Sequence, residues 1–175
     1  MVRKLVAISL GLLTAGIFCS LAQAQMKFGV VDLQKALNLS TAGKKARESI
    51  SKRAEEAKRV IKAKDSELRT LRAELEKQSL LLTEEARLEK AKAFESKRRD
   101  YERFFKDSRE ELALEERRLT NKILRELEKV VQKLGQEEGF TFIFERSQGG
   151  LIYAANSVDL TNRMIELYDA KQQKQ

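Results

Sequence analysis

The sequence predicts an α+β protein that is mainly α: a small β-rich oligomerisation body carrying one long antiparallel coiled-coil helical hairpin. Three observations predict this fold. The chain has no proline, and between Gly43 and Gly135 it has no glycine either. That interval is rich in Ala, Glu, Lys, Arg and Leu, which favour helix. On both sides of it lie short segments of alternating hydrophobicity, as expected for strands.

Residues 1–24 have the pattern of a cleaved signal peptide. Arg3 and Lys4 form a positive start, an apolar run follows over residues 5–21, and Ala-Gln-Ala at 22–24 gives a small-x-small cleavage site. The alternative is an uncleaved membrane anchor, but the apolar run is at the short end for a membrane span. We therefore expect an exported mature chain.

The composition excludes several kinds of active site. Cys19 is the only cysteine and lies within the expected signal peptide, and the chain has no histidine. Zinc sites, Cys-His pairs and Ser-His triads are therefore not expected in the mature chain. A carboxylate pair remains conceivable, and Asp32 with Asp159 is the one pair worth checking. We expect no cofactor, no metal and no enzymatic activity.

The predicted body is discontinuous and consists of residues 25–42 and 135–175. Residues 27–31 read as one strand and residues 140–144 as a second, with three phenylalanines on one face. A Gly-Gly loop precedes residues 151–154, which we expect to form a third strand in a hairpin. Asp159 is then expected to cap a final helix.

This body is too small to complete a hydrophobic core alone. We therefore expect it to associate with further copies of the chain, without the sequence giving their number. The residues expected in this core are Phe28, Val30, Phe140, Phe142, Phe144, Leu160 and Ile165.

The predicted arm, residues 43–134, shows narrow apolar seams with steps of three and four residues. Such seams join two helices but do not form a globule. The outgoing seam runs through Ala54, Ala57, Ile61, Leu68, Leu71, Leu75 and Leu82. The returning seam runs through Ala91, Phe94, Tyr101, Phe105, Leu112 and Leu119, then Ile123, Leu127, Val130 and Leu134.

A chain reversal is expected near residues 79–83. Three consecutive leucines, Leu80, Leu81 and Leu82, do not fit a single apolar seam. Thr83 is a good N-cap with acidic residues after it. The alternative is one continuous helix of roughly 140 Å. The hairpin is favoured because it returns Phe28 and Phe142 to one sheet.

Several segments resemble the Skp/OmpH family. The resemblance lies in FGVVDLQKALN at 28–38, AGKKA at 42–46, TEEAR at 83–87, and Tyr-Ala followed by VDLTNRMI at 153–165. It implies a trimer whose β-rich body carries three helical hairpins around a cavity. It also implies an ATP-independent holding chaperone that binds unfolded outer-membrane proteins in the periplasm.

The positive charge of the chain is concentrated on the arm. Residues 43–134 contain 27 basic and 20 acidic side chains, whereas the predicted body contains 6 and 7. We expect two basic stretches to coincide in part midway along the arm and to attract anionic partners. They comprise Lys58, Arg59, Lys62 and Lys64 on one helix and Lys97, Arg98, Arg99, Arg103 and Lys106 on the other.

These stretches also allow a plain interpretation, in which they form only the solvated face of a long helix. The specific alternatives are acidic client chains and anionic lipid or lipopolysaccharide. Nucleic acid is the usual guess at a pI of about 9.6, but export and the absence of any nucleic-acid motif argue against it.

Two adjacent phenylalanines, Phe104 and Phe105, lie within the second basic stretch. Adjacent residues point about 100° apart on a helix, so both cannot fill one narrow seam. One of them is expected to face outward and contact a client chain. The returning seam given above includes Phe105, and Phe104 is included with the candidate client contacts.

Overall fold

A computed structural model describes residues 26–78, 82–147 and 150–174. The elements follow in the order β1 (Phe28–Val31), α1 (Leu33–Leu39), α2 (Thr41–Gln78), α3 (Glu84–Glu137), β2 (Phe142–Glu145) and α4 (Thr161–Gln172). A 3₁₀ turn at Asn156–Val158 precedes α4. The expected signal peptide and residues 79–81 of the expected chain reversal lie outside the described residues.

The sheet has two strands, and it confirms that the chain segments flanking the long helices meet. Strands β1 and β2 are parallel, with Phe28 opposite Phe142 and Val30 opposite Phe144. Parallel strands need a long crossover connection, which the two long helices provide. The second strand begins at Phe142, two residues later than predicted.

Two further predictions about the body are wrong. Residues 151–154 form no strand, so the described body is less β-rich than expected. The described chain provides no strand beside them, and Ile152 and Tyr153 are 101% and 82% exposed. Phe140 does not share a face with Phe142. Its ring lies against the Gly29 side of β1, because it belongs to the turn before the strand.

The predicted cap of the last helix is displaced by one residue. Leu160, not Asp159, occupies the cap position of α4, and it makes no side-chain cap hydrogen bond. Asp159 still accepts a hydrogen bond from the backbone N–H of Thr161 at 2.9 Å. The Asp159 carboxylate therefore still accepts a hydrogen bond from the first residue of α4, although Asp159 lies one residue before the cap position.

The core lies where the end of α3 packs against α1, β1 and α4. Its fully buried side chains include Leu127, Met164 and Tyr168. The Tyr168 hydroxyl donates a hydrogen bond to Glu126 Oε2 at 2.8 Å, which satisfies a polar group inside this apolar cluster. Burial and this contact with the Glu126 carboxylate raise the pKa of Tyr168.

Helices α2 and α3 lie side by side along most of their length. They contain 38 and 54 residues, or about 57 and 81 Å at 1.5 Å per residue. Between residues 44 and 122 the apolar seam positions are half-buried at most. This partial burial is what a narrow two-helix seam produces. The Thr83 hydroxyl caps α3 as predicted, by accepting the N–H of Ala86.

Candidate functional site

Three side-chain contacts fix how α2 and α3 face each other. Glu67 Oε1 lies 2.8 Å from Lys97 Nζ, and Lys90 donates a hydrogen bond to Gln78. Lys64 Nζ lies 5.6 Å from the centre of the Phe104 ring. Residue numbers rise on one helix as they fall on the other, so the helices are antiparallel. The first basic stretch therefore reaches the second at Lys64 and Phe104, whereas Lys97 lies opposite Glu67.

The structure separates the predicted basic residues into paired and unpaired groups. Five of them lie in ion pairs within the chain: Lys58, Lys97, Arg98, Arg103 and Lys106. Among the described residues, Arg59, Lys62 and Arg99 make no ion pair, and Lys64 lies over Phe104. Exposed ion pairs contribute little to stability, but they reduce the charge offered to a partner. The unpaired cations are therefore the stronger candidates for anionic contacts.

The outward-facing phenylalanine is Phe105, which corrects the predicted seam. Phe105 is 40% exposed, whereas Phe104 is half-buried beside Ala57 and Val60 of α2. Phe104 lies three residues after Tyr101 and Phe105 lies four, and either spacing fits a helical seam. In the structure, Phe104 is the one that packs against α2. Phe105 is therefore the candidate client contact in place of Phe104.

Phe105 lies in a surface that the sequence did not reveal as a unit. Its ring stacks on Tyr101 with centroids 6.3 Å apart, and the Arg109 guanidinium lies 5.7 Å from its centre. Further along the same helix, Leu114 is 63% exposed and Arg117 lines the same shallow groove. We call Tyr101, Phe105, Arg109, Leu114 and Arg117 the α3 surface. It combines exposed apolar groups with cations.

A second apolar surface lies on the sheet. Phe28 and Phe142 stack with centroids 6.0 Å apart, and Phe142 and Phe144 do so at 6.1 Å. All three are 45–54% exposed, although aromatic side chains are normally covered. We call these three residues the aromatic face. Of the other predicted core residues, Val30 is buried, and Phe140, Leu160 and Ile165 are half-buried.

The one carboxylate pair considered for catalysis has structural roles. Asp32 caps α1 by accepting the N–H of Lys35 at 2.6 Å. Asp159 binds Arg146 at 3.1 Å and the N–H of Thr161. Burial acts to raise the pKa of Asp159, but the Thr161 hydrogen bonds and the Arg146 charge outweigh it and lower that pKa.

Within residues 26–78, 82–147 and 150–174, no group of three or more acidic, cysteine or histidine side chains is arranged to hold a metal ion. Over the same ranges, no helix combines the length and apolar character needed to span a bilayer.

Comparisons with known proteins agree with this architecture. The family model described as outer membrane protein (OmpH-like) matches residues 27–168. A crystal structure of a Caulobacter crescentus CB15 protein, described as an OmpH-like outer membrane chaperone, has the same fold with a TM-score of 0.78. The two chains are 16% identical, and the match covers 85% of this chain and 86% of the other. No curated protein matched the chain. Because the family model covers most of the sequence, the chain belongs to the OmpH-like family.

Proposed function

We propose that this chain is an ATP-independent holding chaperone of the periplasm that binds unfolded outer-membrane proteins and prevents their aggregation. The observation that carries the proposal is the α3 surface. Phe105 and Leu114 remain exposed beside Arg109 and Arg117, although the packing of α2 against α3 does not use them. Unfolded barrel strands alternate apolar and polar residues. A surface with both apolar and cationic groups suits such chains.

The chaperone acts as a homotrimer in this proposal. The aromatic face leaves three stacked phenylalanines partly in water, and Ile152 and Tyr153 add further exposed apolar area. A second and third copy would cover this surface, as expected for a body too small to complete its own core. The long helices would then project as coiled-coil arms, and weak contacts from three arms would add through effective concentration.

An aggregation assay tests the holding activity. A denatured outer-membrane barrel protein is diluted into buffer, and light scattering is followed with and without the chaperone and without ATP. We expect scattering to be suppressed at about one trimer per client, since weak contacts from several arms act together. Undiminished scattering at a severalfold excess of trimer would refute the holding activity.

A second candidate function is tethering to an anionic membrane surface or to lipopolysaccharide through the arms. The unpaired Arg59, Lys62 and Arg99 favour it, since free cations attract anionic head groups. This function predicts binding to anionic vesicles that weakens with salt, together with little effect on client aggregation. Suppressed aggregation without vesicle binding would exclude it in favour of the holding chaperone.

A further inference from the structure

A groove near the C-terminal end of α3 lies apart from the long paired part of α2 and α3. It runs between the last turns of α3 and helix α4 and has a volume of about 390 Å³. Its floor is apolar and is formed by buried Val130 and Leu134, half-buried Leu167 and exposed Ala170. The groove therefore offers an apolar strip that is open to solvent.

The rim of this groove is strongly basic. Its charged side chains are one carboxylate, Glu137, and four lysines, namely Lys129, Lys133, Lys171 and Lys174. Lys133 pairs with Glu137 at 3.5 Å, while the other three lysines make no ion pair among the described residues. The groove is thus a local positive site, with two of its lysines on the last turns of α3 and two on or just after α4.

We propose that this groove binds a single-chain anionic amphiphile, with the acyl chain on the apolar floor and a phosphate head group between the lysines. Ammonium groups bind phosphate as compact positive charges. The volume lies near the lower end of the ~300–1,000 Å³ range of small-molecule sites, which suits one acyl chain better than several.

A peptide is a poorer occupant than a lipid. The walls are the surfaces of two helices, whose backbone N–H and C=O groups are bonded within each helix. An extended peptide would therefore leave its own backbone groups without partners over the apolar floor, which is unfavourable. An acyl chain has no such groups.

The groove is also separate from the proposed association surface. At 100° per residue, Lys129, Lys133 and Glu137 lie on the side of α3 opposite Val131 and Gly135. Val131 and Gly135 face Phe140 and Ile143 beside the sheet. Trimerisation through the aromatic face would therefore leave the groove open. This site does not depend on the chaperone proposal.

Titration calorimetry with the full mature chain tests the site. The probe is lysophosphatidylglycerol kept below its micelle concentration, and the controls are lysophosphatidylcholine with the same chain and glycerol 3-phosphate. We expect saturable binding of the anionic lipid at one site per chain, and at least about tenfold weaker binding of both controls. Absence of binding, or equal binding of the choline lipid, overturns the proposal.

Two groove variants locate the binding. Lys129→Glu combined with Lys171→Glu reverses two unpaired charges, and Ala170→Glu places a carboxylate on the exposed floor. All three positions lie on exposed surface, so helical circular dichroism should be retained. Each variant should weaken binding by about tenfold or more, whereas Arg59→Glu with Lys62→Glu on α2 should not. Loss of binding in the α2 variant alone would place the lipid on the long helices and refute the groove.

Discussion

Glu67 and Lys97 form a direct ion pair between the two long helices, with Oε1 and Nζ 2.8 Å apart. The hydrogen bond from Lys97 lowers the pKa of Glu67, and the same contact raises the pKa of Lys97. In one continuous helix these residues would lie roughly 45 Å apart. The pair therefore distinguishes the antiparallel arrangement from a single rod.

Carbodiimide coupling should join these two side chains. The reagent links a carboxylate to an amine only when they touch, so peptide mass spectrometry should find a Glu67–Lys97 cross-link. Lys97→Gln should abolish it, and Lys62→Gln should leave it intact. Mixing isotope-labelled with unlabelled chains should show both residues in one chain. A link found only between different chains would contradict the antiparallel pair.

The core at the end of α3 should dominate the stability of the fold. Leu127 is fully buried between α1 and α4, so Leu127→Ala should lower the free energy of unfolding by about 2–5 kcal/mol. Leu114→Ala on the same helix is the matched control, because Leu114 is 63% exposed. Its effect should stay within about 0.5 kcal/mol in urea unfolding. Equal effects of the two substitutions would place the core elsewhere.

The aromatic face should hold the oligomer together. Phe142→Ser removes the central ring, which stacks on both Phe28 and Phe144. Because this ring is 54% exposed in the single chain, the fold of one chain should survive its loss. Mass measurement in solution should show dissociation toward monomer, whereas Leu114→Ser should leave the oligomer unchanged. An unaltered mass for Phe142→Ser would show that this face is not the interface.

The carboxylate of Asp159 should make stability depend on acid pH. Its folded pKa is lowered, so its contribution is complete above its unfolded pKa of about 3.9 and is lost as the pH falls through the folded value. Asp159→Asn should therefore cost stability at about pH 6 and cost little at about pH 2. Urea midpoints at the two pH values measure this difference. An equal loss at both would show that ionisation of Asp159 is irrelevant.

Strands β1 and β2 and the start of α3 could be predicted because they depend on short stretches of sequence. Alternating hydrophobicity around Phe28 and Phe142 predicted two strands. The glycine-free interval between them predicted the helical connection that brings the two strands together. Thr83 predicted the start of α3, because a hydroxyl followed by Glu84 and Glu85 satisfies the first N–H groups and the helix dipole.

The failures arose where geometry between distant residues decides the outcome. Phe104 and Phe105 both fit the periodicity, and only the packing of α2 selects between them. Residues 151–154 have strand propensity but no neighbouring strand in the described chain. The basic groove joins Lys129 to Lys171, which no spacing within one segment reveals. The division into body and arm, and the contact residues themselves, stay predictions.

Comparing two exposed apolar residues in the aggregation assay tests the central claim that clients are held by the long helices. Phe105→Ser alters the α3 surface, and Leu39→Ser removes a similarly exposed apolar side chain from α1. With unchanged helical circular dichroism, Phe105→Ser should need up to about fivefold more protein for half-suppression of scattering, as expected for a loss of ~1 kcal/mol. Leu39→Ser should behave as the wild type. Full activity of Phe105→Ser, or an equal loss in Leu39→Ser, would contradict the claim.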